Sequence, residues 1–236
     1  MKHLALFFLL LSAQTLEAKL IATCSEWSPF YFRTGQQIEG DVHTLTEQVL
    51  AQAGLTADFT IEPWPRALLN TQEQPNYLLT CLGYTRARAS RFQWIGKSTK
   101  GLEYKFFRLA SSQHRILSLH DLDDVMVGVI RDSHSLSYLQ QHVPNAIPVL
   151  LTTIEQQLLT LLKGRVSYIL LSEPALQRER DALQIDPESI VEEFEAYDAT
   201  TYLAMGLSAD PELVKRLKQA YVELVSQNKL SIPSAR

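Results

Sequence analysis

Only two cysteines occur in this chain of 236 residues, Cys24 and Cys81. That is too few for a disulfide-framed miniprotein, and there is no CxxC and no histidine pair at ligand spacing. No metal site and no other cofactor is therefore expected. A basic excess is also missing: 22 Lys and Arg face 26 Asp and Glu, a net charge of −4. Nucleic-acid binding calls for a basic face, so no nucleic-acid partner is expected. There is no charge block, no low-complexity tract and no evident repeat. Beyond the first residues no apolar run reaches the roughly 20 residues needed to cross a bilayer. What remains is the composition of an ordinary globular protein.

The first 18 residues read as a secretory signal. Lys2 and His3 give a basic start, Leu4 to Leu11 is a short apolar run, and Ala18 offers a small residue for cleavage. A signal anchor or a buried N-terminal helix is the alternative. The rest of the chain is long enough for two lobes of about 100 residues each. The reading divides it into a signal at 1–18, lobe 1 at 19–107, lobe 2 at 108–197, and a return to lobe 1 at 198–236.

Strand and helix patterns alternate. Leu20 to Cys24, Ala57 to Ile61 and Tyr77 to Cys81 read as strands. Between them, Asp41 caps a helix that carries Val42, Leu45, Val49 and Leu50 at helical spacing, and Pro63 opens another. A second βαβαβ unit has strands at Asp124–Ile130, Ile147–Leu151 and Val166–Leu171, and helices over Ser135–His142 and after Thr153, with a further helix after Pro174. Two such units imply an α/β fold of two lobes, each a mostly parallel sheet flanked by helices. The extended stretches Glu103–Leu109 and Ala199–Gly206 read as two strands crossing between lobes. The last helix starts at Asp210-Pro211 and would cover the first sheet.

Both cysteines end apolar runs. If those strands are parallel neighbours the thiols meet at one sheet edge and form a disulfide; otherwise they are two free, half-buried thiols. Thr85-x-x-Arg88 follows the third strand. An arginine there would leave the C-terminal edge of a buried strand and enter a cleft, where guanidinium grips a carboxylate through paired hydrogen bonds. It could instead pair with Glu26 or another lobe acid. Trp27 offers an indole wall. Tyr84 is placed at the cleft mouth, whereas Tyr31, Trp64 and Arg66 are read as packing. His43 and His120 offer no catalytic setting, so no catalytic residue is assigned.

These residues together resemble the family 3 extracellular solute-binding proteins over nearly the whole chain after the signal. Glu26-Trp27-Ser28-Pro29-Phe30 is similar to that family's aromatic–x–Pro–aromatic turn, and Gly40-Asp41-Val42 to its G-x-D helix start. Pro63-Trp64-Pro65-Arg66-Ala67-Leu68 is similar to the W-x-R-A-L segment of one subgroup. Thr85-Arg86-Ala87-Arg88, Phe92 to Gly96, Leu119 to Val129 and Leu162 to Val166 resemble its T-P-E-R, F-x-W-x-G-P, D-L-x-G-x-x-V-G-V and L-x-x-G-R-V-D runs.

The resemblance implies a type II periplasmic-binding-protein fold. It places the ligand carboxylate on Arg88, with Thr85 and Gly83 nearby and Trp27 against the ligand. From the second lobe it implies Ser133, His134, Ser172 and Glu173. The chain departs from the amino-acid binders where it has Ser172 for their ammonium-binding aspartate, Ser167 for the G-R-V-D aspartate, and Asp132 for a glycine. The expected protein is a periplasmic, monomeric, non-enzymatic binder. It would capture a small carboxylate-bearing, amino-acid-like ligand by hinge closure and present it to a membrane transporter or sensor. The competing readings are a periplasmic enzyme of dehydratase or lytic type on the same fold, with Glu26 or Glu173 as acid, and a ligand-sensing receptor module.

Overall fold

The computed structural model describes residues 19–234. The expected signal segment and its cleavage near Ala18 lie outside the described residues. Among the described residues no helix is long and apolar enough to cross a membrane.

Strand β1, Leu20–Cys24, is followed by a small hairpin of β2, Phe32–Thr34, and β3, Gln37–Glu39. Helix α1 then spans Asp41–Gln52. Asp41 was expected to cap it, but the cap position belongs to Gly40. Gly40 has φ 118°, and a Cβ there would collide with the Phe30 carbonyl, so only glycine fits. Asp41 sits in the first turn, where its charge suits the helix dipole. Next come β4, Ala57–Ile61, helix α2, Trp64–Glu73, strand β5, Tyr77–Gly83, and β6, Phe92–Lys97. Every residue of β5 is buried, which matches its unbroken apolar run and its place inside a sheet covered on both faces.

The second half comprises β7, Leu102–Leu109, β8, Met126–Ile130, α3, His134–His142, β9, Ile147–Leu151, and α4, Ile154–Leu162. It continues with β10, Tyr168–Ser172, α5, Glu173–Ala182, and β11, Ile190–Ala199. Strand β12, Thr201–Gly206, and helix α6, Pro211–Ser226, are the last regular elements among the described residues.

Two five-stranded sheets result, ordered β4-β1-β5-β12-β6 and β11-β7-β10-β8-β9. Each contains three parallel strands, extended at one side by an antiparallel strand and then by a fifth that pairs antiparallel with it. Helix α6 packs on α1 and β6 and buries Val214, Leu217, Ala220, Tyr221 and Leu224. The Tyr221 ring lies where a Cβ on Gly96 would be, and its hydroxyl donates to the Lys97 carbonyl at 3.0 Å.

The passage between sheets differs from the expected one. Glu103–Leu109 does not cross: the whole of β7 pairs with β10 and β11 in the second sheet. The break expected after residue 107 falls inside this strand. A strand whose amides are committed to one ladder cannot serve another, so the chain changes sheet in the short segments 98–101 and at Thr200. These two connections are tied together. The Thr201 hydroxyl lies 2.8 Å from the hydroxyls of both Ser98 and Thr99, all three residues are buried, and the Ser98 amide donates to the Thr201 carbonyl.

Strands β1 and β5 are parallel neighbours, and Cys24 and Cys81 form a disulfide with a Cα–Cα distance of 5.8 Å. The bridge spans 57 positions of sequence. In the chain-entropy account a loop of that size stabilises by about 4 kcal/mol. A Cys24→Ser, Cys81→Ser variant is therefore expected to unfold at lower urea concentration by about that free energy. The same denaturation curve should be reached by the unaltered protein under a thiol reductant. Equal midpoints with and without reductant would show that the bridge adds no stability.

Candidate ligand-binding cleft

The carboxyl ends of the parallel strands in both sheets face one another, the position at which open α/β sheets bind ligands. A cavity of about 360 Å³ lies there, lined by Cys24, Ile61 and Cys81 from the first sheet and by Ile130 and Ser172 from the second. The helices that follow these strands bring their first turns to it. Thr153 caps α4, its hydroxyl accepting from the Gln156 amide at 3.1 Å. Ser133 caps α3 in the same way through the Leu136 amide at 3.1 Å, and it lines the cavity.

Trp27 also lines the cavity; it is buried, with its ring 4.6 Å from that of Phe30. Ser172 is 1% exposed, lies at the foot of α5 and does not cap it, and its hydroxyl accepts no hydrogen bond among the described residues. His134 reaches the cavity, but its Nδ1 is hydrogen-bonded with the Tyr197 hydroxyl at 2.6 Å and its ring packs edge-on against Tyr104. Burial pushes its pKa down to about 3, with the charge of Arg88 adding to the effect. It is a neutral wall group.

Four expected site residues lie elsewhere. Arg88 does not line the cavity. It is 6% exposed, its Nη1 donates to the Gly83 carbonyl at 2.9 Å, and its Nη2 donates to the Asp132 carbonyl across the lobes. Its guanidinium lies 5.5 Å from the centre of the Trp64 ring. Desolvation pushes its pKa down to about 10, so it keeps its charge at neutral pH. Gly83 lines a shallow depression on the far side of His134, together with the exposed ring of Tyr84, and a Cβ at Gly83 would strike the imidazole. The Thr85 hydroxyl is buried without a partner and outside the cavity. Glu173 turns toward β7, where it meets Lys105 at 3.3 Å. Lys105 is held charged chiefly by its hydrogen bond to Glu192, at 2.8 Å.

Sequence reasoning passed over Trp64, Glu62, Tyr104, Glu155 and Glu179 as site residues, yet all line the cavity. Trp64 donates from Nε1 to the Asp132 carbonyl at 2.9 Å. Asp132 takes φ 57°, the left-handed conformation that explains the glycine found there in the resembling family, and that Asp tolerates better than most residues. One signal was available: Thr153, like Ser133 and Ser172, is the residue immediately before the helix that follows its strand.

Two outcomes follow from this geometry. Arg88→Met leaves the Asp132 and Gly83 carbonyls without their charged donor. The expected cost is about 2 kcal/mol in denaturation, with a larger radius of gyration in small-angle scattering as the lobes part. Unchanged stability and dimensions with lost ligand binding would instead make Arg88 a ligand grip. Second, an unfolded chain protonates His134 below its ordinary value of 6.5, whereas the folded chain does not. Stability from this group is therefore full above that pH and declines as pH falls toward about 3, by up to about 1.4 kcal/mol per pH unit. Denaturation midpoints between about pH 7 and about pH 5 should show the slope, and His134→Gln should flatten it.

No protein-family model matches the chain, and no curated protein does. Solved structures do. An amino acid ABC transporter substrate-binding protein from Streptococcus pneumoniae, bound to L-arginine, is 18% identical over 90% of this chain and 90% of that one, with a TM-score of 0.73. A histidine kinase sensor domain with similarity to periplasmic binding proteins is 18% identical over 91% and 92%, with a TM-score of 0.79. An ancestral arginine-binding protein bound to arginine is 14% identical over 90% and 94%, with a TM-score of 0.75. The chain thus has the two-lobe, type II periplasmic-binding-protein fold.

Proposed function

We propose that this protein is a periplasmic solute-binding protein. It captures a small, amino-acid-like solute between its lobes without chemically altering it. The supporting observation is the cavity at the facing strand ends, walled by the indoles of Trp27 and Trp64 and crossed by lobe-to-lobe hydrogen bonds at Asp132. Entry requires the lobes to part, and the segments 98–101 and Thr200 are the natural hinges. Closure excludes water and strengthens every polar contact inside.

In this reading Arg88 acts on the closed arrangement rather than on the ligand, because both its Nη groups are engaged with carbonyls. Ligand contact falls to Trp27, Trp64, Ser133 and Ser172. The closed form is the signal that a membrane partner reads. That partner is a transporter or a sensor, and the likeness to a kinase sensor domain supports the second as much as the arginine-bound transporter protein supports the first. The protein acts as a monomer.

A thermal-shift screen of amino acids and biogenic amines tests this. A member bound at a hundred times its Kd should stabilise the fold by about 2.7 kcal/mol. Trp27→Ala should reduce that compound's affinity by at least about tenfold, measured at a temperature where the variant is still folded, since loss of a buried indole also lowers the unliganded melting temperature. A screen in which no solute raises the melting temperature would end the solute-capture reading, as would chemical turnover of the bound compound.

A further inference from the structure

We infer that the cavity anchors its ligand by a positively charged organic head, an amine, guanidine or quaternary ammonium, and does not require a carboxylate. The inference rests on the solute-capture reading and names which end of the solute is held.

Four carboxylates line the cavity, Glu26 and Glu62 from the first lobe and Glu155 and Glu179 from the second, and no Lys or Arg lines it. Among the described residues none of the four takes part in an ion pair. Glu62 accepts from the Asn70 amide group at 2.7 Å, and Glu26 from the Arg33 backbone amide at 3.1 Å; both contacts leave the negative charge in place. Glu179 is half-buried, and its pKa is raised by desolvation first and then by Glu155 and Glu26, with Arg178 opposing weakly. The Arg178 guanidinium is itself placed over the Phe32 ring, 5.4 Å from its centre. Glu26, Glu155 and Glu179 thus bring like charges together across the lobes, and among the described residues no ion pair neutralises them.

A second, separate observation points the same way. The Ser172 hydroxyl lines the cavity and is buried; its proton is within reach of the Tyr104 hydroxyl, and its lone pairs have no donor among the described residues, so it is free to accept from a ligand N–H. Trp27 adds an aromatic wall, which attracts cations. The one guanidinium expected to receive a carboxylate is engaged elsewhere, and the one imidazole is neutral and bonded to Tyr197. A metal ion does not fit the same negative charge: among the described residues no three His, Cys, Asp or Glu side chains stand close enough to hold one. Charge spread over a cavity of about 360 Å³ suits a small organic cation.

Titration calorimetry on the full mature protein with agmatine, choline, arginine, glutamine and glutamate tests the inference. Agmatine or choline should bind, arginine should bind no more than about tenfold tighter than the better of these two, and glutamate should not bind. Glu179→Gln should weaken that cation by about tenfold while leaving the melting temperature of the unliganded protein equal or higher, since it removes repulsion. Arginine binding by a wider margin, measurable glutamate binding, or an unaffected Glu179→Gln variant would overturn the inference. Binding of glutamine or glutamate alone would overturn it yet leave solute capture standing. Failure of all five ligands would overturn it, and the wider screen would then decide the capture reading by itself.

Discussion

Two side chains of the first lobe converge on one peptide carbonyl of the second. Asp132 sits at a left-handed turn after β8, and that turn aims its carbonyl at the first lobe, where Trp64 and Arg88 both donate to it. Neither donor comes from a flexible loop tip. Trp64 opens α2, and Arg88 is buried and pinned by the Gly83 carbonyl at the end of β5. A backbone acceptor suits this role because its position is fixed by the fold and it carries two lone pairs. The lobes are therefore registered by main chain against side chain, and the cavity beside this contact takes its shape from it.

The hinge is built on the opposite principle, that of small side chains. Ser98, Thr99 and Thr201 place three hydroxyls within hydrogen-bonding reach where the two connections run side by side. Hydroxyls rotate to suit and can re-pair with one another or with carbonyls as backbone angles shift. Two short connections bound to each other hold the two sheets in one mutual register at this end, as the Asp132 contact does at the other.

Much of the fold was legible in the sequence, for identifiable reasons. Apolar runs such as Tyr77–Cys81 and Ile147–Leu151 announced their strands, and Thr153 and Asp210 announced helix starts that their hydroxyl and carboxylate do cap. Strand β11 was not legible. Its residues Ile190–Ala199 include Glu192, Glu193, Glu195 and Asp198, a composition poor in strand propensity. It forms because it is an edge strand whose acids face outward or meet Lys105 and Arg108 on β7. The site was legible by half. Trp27, Ser133, His134 and Ser172 follow strand ends and reach the cavity, since that is where strand ends point. Arg88 did not, because its destination was fixed by an acceptor 44 positions away that no local pattern reveals. Glu179 escaped notice for a similar reason: it belongs to a helix of mixed charge, and only the closeness of Glu155 and Glu26 sets it apart.

The bridge between Cys24 and Cys81 has a meaning beyond stability, since both sulfur-bearing residues belong to the cavity wall. A freshly synthesised chain in a reducing compartment keeps two thiols there, and the ends of β1 and β5 are not yet clamped together. The wall of the cavity is completed only when an oxidant is met. In the solute-capture reading proposed above, oxidation is thus a maturation step, because the two strand ends that carry the wall are fastened together only in an oxidising compartment.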